Sequence, residues 1–310
     1  MPAHLRFQSK AWAIHHVVSR CIQGYGFLKP TREIRAISKG VLAYALDKYA
    51  QVIKLHHYVF LSNHFHLLLS SESSQSLAEF MCFFKGNLAR ELGRVHDWHG
   101  TLWQRRYSSE EVLDEGGLRE VFKYLTKNTV KESLVDHPKD WKGLHGYHQL
   151  VMGKKVEGPW IDRTAFHRAL QSKQDVNIED YTQSYKIPLY VPEIWGHLTK
   201  KDYKFLCKKL SADAILEAIK ERKSSAMGMK AVLRQRVKRT RALNGGSRPL
   251  CRTKCVIKFK SYQKMYYEFK KRFQSVSGDL RRAIRLGLDT ANICFPKGGV
   301  PLFGFCDCTN

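Results

Sequence analysis

The run Asn63-His64-Phe65-His66-Leu67-Leu68-Leu69 constrains this chain more than any other stretch, because two imidazoles two apart sit inside a segment that reads as a buried strand. In a strand, side chains alternate faces, so residues i and i+2 lie about 6.8 Å apart on one side. His64 and His66 therefore point the same way, while Phe65 and Leu67 point into a core on the other. Neutral imidazole is the commonest protein metal ligand, so one strand offers half a metal site. The competing reading is a polar strand face, and only a third ligand and a reactive group decide between the two.

The surrounding 130 residues alternate strand and helix patterns. Residues 13–20 (Ala-Ile-His-His-Val-Val-Ser-Arg) read as a strand, and a Gly/Pro turn region runs to Pro30. Thr31 is a helix cap, and Ile34, Ile37, Val41, Leu42, Ala45 and Leu46 recur at helical spacing to about Tyr49. Residues 52–61 and 64–70 make a hairpin turned by Ser62-Asn63. Ser76 opens a second helix with the stripe Leu77, Phe80, Met81, Phe84, Leu88. Residues 107–113 form a fourth strand and 117–131 a third helix. The order βαββαβ plus α predicts an α+β, ferredoxin-like (RRM-like) domain: a four-stranded antiparallel sheet with helices on one face and the other open to ligands.

Beyond this unit, assigned to residues 1–150, residues 151–198 read as a loop-rich extension and 199–310 as a basic, mainly helical region. Three helices are expected there, at 200–209, 211–223 and 227–241, the last carrying Arg234, Lys238, Arg239 and Arg241. The net charge is +25, and it is uneven: residues 200–300 hold 27 Lys/Arg against 7 Asp/Glu, residues 1–199 hold 26 against 20. Such asymmetry points to a polyanion, and nucleic acid suits it better than a lipid surface because the basic stretches lack an opposing Trp/Leu face. Removing residues 200–310 is expected to weaken DNA binding and flatten its salt dependence. With 43% hydrophobic and 12% aromatic residues the chain is not disordered, and no apolar run approaches the roughly 20 residues that span a bilayer. No export signal is evident at the N-terminus, and the eight scattered cysteines form no secreted framework, so a cytoplasmic protein with reduced thiols is expected. Cys251-x-x-x-Cys255 with Cys294, Cys306 and Cys308 departs from the two-residue zinc knuckle.

On the third helix, Tyr124 and Asn128 stand four residues apart on one face, with Lys127 and Lys131 flanking it and Phe122 and Leu125 on the side that anchors the helix. If that helix lies beside the histidine strand, Asn128 adds an oxygen ligand to His64 and His66, and Tyr124 becomes a nucleophile beside a divalent ion. A phosphodiester is the fitting substrate. A free phenol has a pKa of about 10, so ionising it near neutrality costs roughly 4 kcal/mol, which the two lysines and the ion are expected to offset.

His64-Phe65-His66, the hairpin before it (Tyr58 to Asn63), Gly100-x-Leu-Trp-Gln-x-Arg-Tyr107 and Tyr124-x-x-x-Asn128 together resemble the single-tyrosine HUH transposases, and most closely their REP-associated tyrosine transposase branch. The similarity runs from about residue 12 to 150. It implies a Mg²⁺ or Mn²⁺ ion on His64, His66 and Asn128, and Tyr124 as nucleophile. It also implies cleavage and rejoining of single-stranded DNA beside a hairpin (palindromic) repeat through a 5′-phosphotyrosine bond, by a monomer or a homodimer. The Asn-Pro-Val-Arg-Ala continuation common in the family is replaced here by Thr129-Val130-Lys131-Glu132 after Asn128. Expected DNA contacts are Arg105, Arg106, Lys127, Lys131, Arg234, Lys238, Arg239 and Arg241. Two alternatives stand beside this reading: a non-catalytic single-strand-binding module on the open sheet, and a metallonuclease that uses water and leaves no protein-linked strand.

Overall fold

A computed structural model describes residues 7–172, 176–222, 224–238 and 249–296. Strand β1 (Ala13–Arg20) leads to α1 (Arg32–Lys48), β2 (Ile53–Phe60), β3 (His64–Ser71), α2 (Ser74–His96), β4 (Ser108–Val112) and α3 (Glu115–Lys131). Each of these three helices begins on a side chain that caps it: the Ile34 amide donates to Thr31 Oγ1 at 3.2 Å, the Ser76 amide to Ser73 Oγ at 3.0 Å and the Gly117 amide to Asp114 Oδ1 at 2.7 Å. The strands lie in the order β2-β3-β1-β4, all antiparallel, which is the expected ferredoxin-like sheet. At the β4 edge a short fifth strand, β7 (Cys251–Arg252), joins in parallel.

Alternation within the strands builds two cores. Phe65, Leu67 and Leu69 of β3 join Val17 and Leu55 under α1 and α2, where Leu42, Phe80, Phe84 and Leu88 close the layer. The opposite face carries Ile14, Val59, Leu68 and Val112, and it is not open: Leu118, Val121, Phe122 and Leu125 of α3 pack on it, backed by Cys207 and Leu210 of α6 (Lys200–Glu221). A sheet face with four apolar side chains gains by being covered, at roughly 25 cal/mol for each Å² removed from water. The roof leaves the polar end of that face, where the histidines lie, for α3 to reach with Tyr124.

The extension has more structure than its sequence suggests. After α4 (Tyr147–Leu150), β5 (Glu157–Ile161) and β6 (Thr182–Lys186) form a hairpin flanking α5 (Arg163–Gln171). That hairpin sits on α1, with Trp160 stacked on Tyr44 at 4.6 Å. Gly40 permits the approach, since a Cβ there would stand 1.7 Å from the Pro159 carbonyl oxygen.

The basic region departs from three short helices. Residues 200–221 run unbroken as α6, because no Gly, Pro or cap interrupts them at Leu210-Ser211 and Ser211 is buried against the core. Only Met229–Arg234 (α7) is helical in the third segment, with Val232 packed on Val135 and Trp141. A 31-residue helix, α8 (Val256–Leu286), follows β7 and is held by Tyr262, Tyr266 and Phe269 clustered around Phe7 at ring distances of 5.3, 5.9 and 5.2 Å. The described cysteines are free thiols, and Cys306 and Cys308 lie outside the described residues. No described helix is long and apolar enough to cross a membrane.

Candidate active site

Four strands and one helix converge on the polar end of the second sheet face. β3 supplies His64 and His66, whose rings are 5.0 Å apart between centroids. β1, its neighbour, supplies His16, placed diagonally to His66 because His16 opposes Leu68 while Val18 opposes His66. β4 supplies Glu110, directly opposite His16. β7 supplies Arg252, whose guanidinium donates to Glu110 at 2.6 Å. Across them α3 lays Tyr124, with its ring 5.2 Å from that of His66 and 5.9 Å from that of His16, edge-on to both.

Hydrogen bonds orient the imidazoles. His64 Nδ1 lies 2.6 Å from Asn63 Oδ1, an acceptor, so the hairpin turn residue holds the ring with Nδ1 as donor. His66 Nδ1 lies 3.0 Å from His16 Nε2, and His16 Nδ1 lies 3.4 Å from Glu110 Oε2. Asn128, one turn after Tyr124, is 1% exposed, and neither its amide oxygen nor its nitrogen has a partner of good hydrogen-bond geometry. The carboxamide is still near enough to the Tyr124 hydroxyl to favour its ionised form.

A buried carboxamide with both atoms orphaned costs free energy unless something else takes the oxygen. No three His, Cys, Asp or Glu side chains gather into a metal-holding group among the described residues. Two imidazoles and an idle amide oxygen are the donor set present, and it suits a hard-to-borderline divalent cation that keeps positions open for phosphate.

The Tyr124 phenol is pushed above its ordinary value. Burial is the main cause, the Glu132 carboxylate adds to it, and Arg252 and Asn128 act against it. The lysines expected to help are engaged elsewhere. Lys127 is ion-paired with Glu217 at 3.3 Å and Glu221 at 2.9 Å, and Lys131 lies 4.0 Å from Glu221, so both tie α3 to α6. The cation that favours the phenolate is Arg252, 128 positions downstream of Tyr124.

The other expected DNA-binding residues are dispersed. Arg105 and Arg106 are exposed just after buried Trp103. Arg234 and Lys238 are exposed around the end of α7, and Arg239 and Arg241 lie outside the described residues. Sequence reading missed His16, Glu110 and Arg252. His15-His16 and Glu110-Glu111 are adjacent like pairs in strands, and alternation alone says that one of each pair faces the site without saying which. For Arg252 no sequence signal exists, because a two-residue strand carries no pattern.

Residues 13–128 match the family model described as Transposase IS200 like, a match that supports a transposase role for that segment. It contains His16, His64, His66, Glu110, Tyr124 and Asn128, and leaves Arg252 outside. Among solved structures, a REP-associated tyrosine transposase bound to a REP hairpin is similar at 14% identity and a TM-score of 0.35, covering 47% of this chain and 84% of its own. A Deinococcus radiodurans R1 protein whose structure is described as a putative transposase is similar at 17% identity and a TM-score of 0.29, covering 38% of this chain and 93% of its own. No curated protein matches the chain.

Proposed function

We propose that this protein is a metal-dependent transposase and endonuclease of single-stranded DNA, of the REP-associated type, which cuts and rejoins strands beside hairpin repeats through a 5′-phosphotyrosine bond. The observation that carries the proposal is the placement of Tyr124 edge-on to His66, 5.2 Å between ring centroids, with the idle Asn128 amide one turn away. On that face Tyr124 offers its phenolic oxygen as the nucleophile. Its Oη forms the new bond to phosphorus as the bond from phosphorus to O3′ breaks; the phenol gives up its proton and the freed 3′-oxygen takes one up. Reversal by another 3′-hydroxyl rejoins DNA without a nucleotide cofactor, because the phosphotyrosyl bond keeps the energy of the original diester.

His64, His66 and Asn128 would hold Mg²⁺ or Mn²⁺, which when bound supplies positive charge to polarise the phosphate. Arg252 supplies a positive charge that favours the phenolate. Burial of Tyr124 keeps it protonated at neutral pH in the free protein, so reactivity waits for the substrate complex. DNA would be gathered by Arg105, Arg106, Arg234 and Lys238 and by the exposed cations of α8, including Lys264, Lys271, Arg272 and Arg282. We place the reaction in the cytoplasm, carried out by a monomer or a homodimer.

Binding without chemistry on an open RRM-like sheet has little support, since the face it needs is covered by α3 and α6. A water-using nuclease leaves the position of Tyr124 without a purpose. The test is incubation of the full chain with 5′- and 3′-labelled single strands carrying a hairpin repeat, with Mn²⁺, resolved under denaturing conditions. A protein-linked strand is expected with the wild type and none with EDTA. Cleaved product with no linked strand would overturn the tyrosine mechanism.

A further inference from the structure

Four side chains from four different strands form one hydrogen-bonded line that ends on His66. Arg252 Nε donates to Glu110 Oε2 at 2.6 Å; the same oxygen lies 3.4 Å from His16 Nδ1; His16 Nε2 lies 3.0 Å from His66 Nδ1. Glu110 and His16 are almost fully buried, and Arg252 is about one-third exposed, with a side-chain exposure of 35%. The line is therefore shielded from water at its centre and open at its C-terminal end.

We propose that Arg252, Glu110 and His16 are positioning residues that fix the tautomer and the ring orientation of His66, so that strand β7 completes a site whose other members all lie within residues 13–128. This rests on the reading of His66 as a metal ligand. An ionised carboxylate only accepts, so Glu110 places the His16 proton on Nδ1. Neutral His16 then offers its Nε2 lone pair, and the partner that can use it is His66 with its proton on Nδ1. His66 Nε2 is left as a lone pair, the form that binds a cation.

Arg252 holds the line at its far end. Its charge-assisted bond keeps Glu110 anionic: although burial alone would raise that carboxyl, the hydrogen bond from His16 and the charge and hydrogen bond of Arg252 bring it below the ordinary carboxylate value. Register supports the placement, since β1 sets His16 opposite Glu110 and β7 pairs Val112 with Arg252. Asn63 acts on His64 in the same sense, as an acceptor at Nδ1, so both imidazoles are oriented from behind.

The experiment uses the full chain, metal-free and ¹⁵N-labelled at histidine, at pH 8. Long-range ¹H–¹⁵N spectra are expected to show His66 protonated at Nδ1 and unprotonated at Nε2. In Glu110→Gln the carboxamide can turn its NH₂ toward His16, and the His66 tautomer is expected to become mixed. Titration with Mn²⁺ alone should then show affinity 10- to 100-fold weaker than wild type, the usual range for loss of a group behind a ligand. Arg252→Gln should weaken it several-fold, and circular dichroism and Tm establish that each variant is folded. If Glu110→Gln does not fold, Arg252→Gln decides.

A wild-type His66 protonated at Nε2 would overturn the proposal. So would a folded variant with unchanged tautomer and unchanged Mn²⁺ affinity. If the wild type binds no Mn²⁺, the metal reading of the site fails on its own, and the tautomer spectra still decide the line of hydrogen bonds.

Discussion

The Tyr124 ring meets the His66 imidazole edge-on, with an interplanar angle of 78° and the ring centre 5.2 Å away. Substituting Tyr124→Phe keeps the ring and its packing and removes only the oxygen. Stability should change by less than about 1 kcal/mol, DNA affinity by less than about twofold, and the covalent adduct should vanish. An adduct that persists in Tyr124→Phe would remove this residue from the chemistry.

Asn128 separates function from stability. Its amide makes no good hydrogen bond while buried, so Asn128→Ala loses no paired group and should cost less than about 1 kcal/mol in urea unfolding. Strand cleavage and Mn²⁺ affinity should fall at least tenfold. Equal losses of stability and activity would mean that Asn128 is a packing residue.

Deleting residues 200–310 is a poor probe of DNA binding, contrary to the sequence expectation, because α6 belongs to the core beneath α3. Cys207 and Leu210 pack with Phe122 and Leu125, and Glu217 bridges Lys123 at 2.6 Å and Lys127 at 3.3 Å. The truncated chain should show a Tm lowered by many degrees or a lost thermal transition. Glu217→Ala alone should cost no more than about 1 kcal/mol, as partly exposed ion pairs do.

Charge neutralisation on α8 is the cleaner experiment. Lys264, Lys271, Arg272 and Arg282 are exposed, so changing all four to Gln should leave Tm within a few degrees. The slope of log affinity against log salt should flatten by up to about 0.7 for each phosphate of a single strand that the variant no longer neutralises. An unaltered slope would take α8 off the DNA.

Acid should unfold the protein well above the carboxylate range. Burial pushes His15 and His56 down to about 4 and His57 to about 3, and it also holds His145 well below the usual imidazole value. Burial outweighs the His56 hydrogen bond to the Tyr190 carbonyl oxygen at 2.8 Å, which acts the other way, while its Nε2 lies 2.7 Å from Ser70 Oγ. Below the unfolded value of about 6.5 the unfolded chain binds protons that the folded chain refuses, so stability falls as pH drops from about 6.5 toward 4. Each of His15 and His56 accounts for at most about 3 kcal/mol. Urea midpoints by circular dichroism at pH 7, 6 and 5 should decline in that order; a flat series contradicts the assignment.

Local pattern was enough for the elements that carry strong periodicity. Alternation in His64 to Leu69 set which residues face the core, and the α1 stripe and Thr31 cap set that helix almost to the residue. The spacing of Tyr124 and Asn128 set the shared helix face, and the order of elements set the antiparallel sheet. What required the tertiary structure was everything that depends on which strands become neighbours. His16, Glu110 and Arg252 meet only because β1, β4 and β7 lie side by side, and no local spacing encodes a pairing across 142 residues. The same holds for Lys127 and Lys131: their sequence offers two cations near a nucleophile, and only the docking of α6 shows their charges taken by Glu217 and Glu221. Side-chain periodicity is a property of one segment, whereas partner choice is a property of the packed whole.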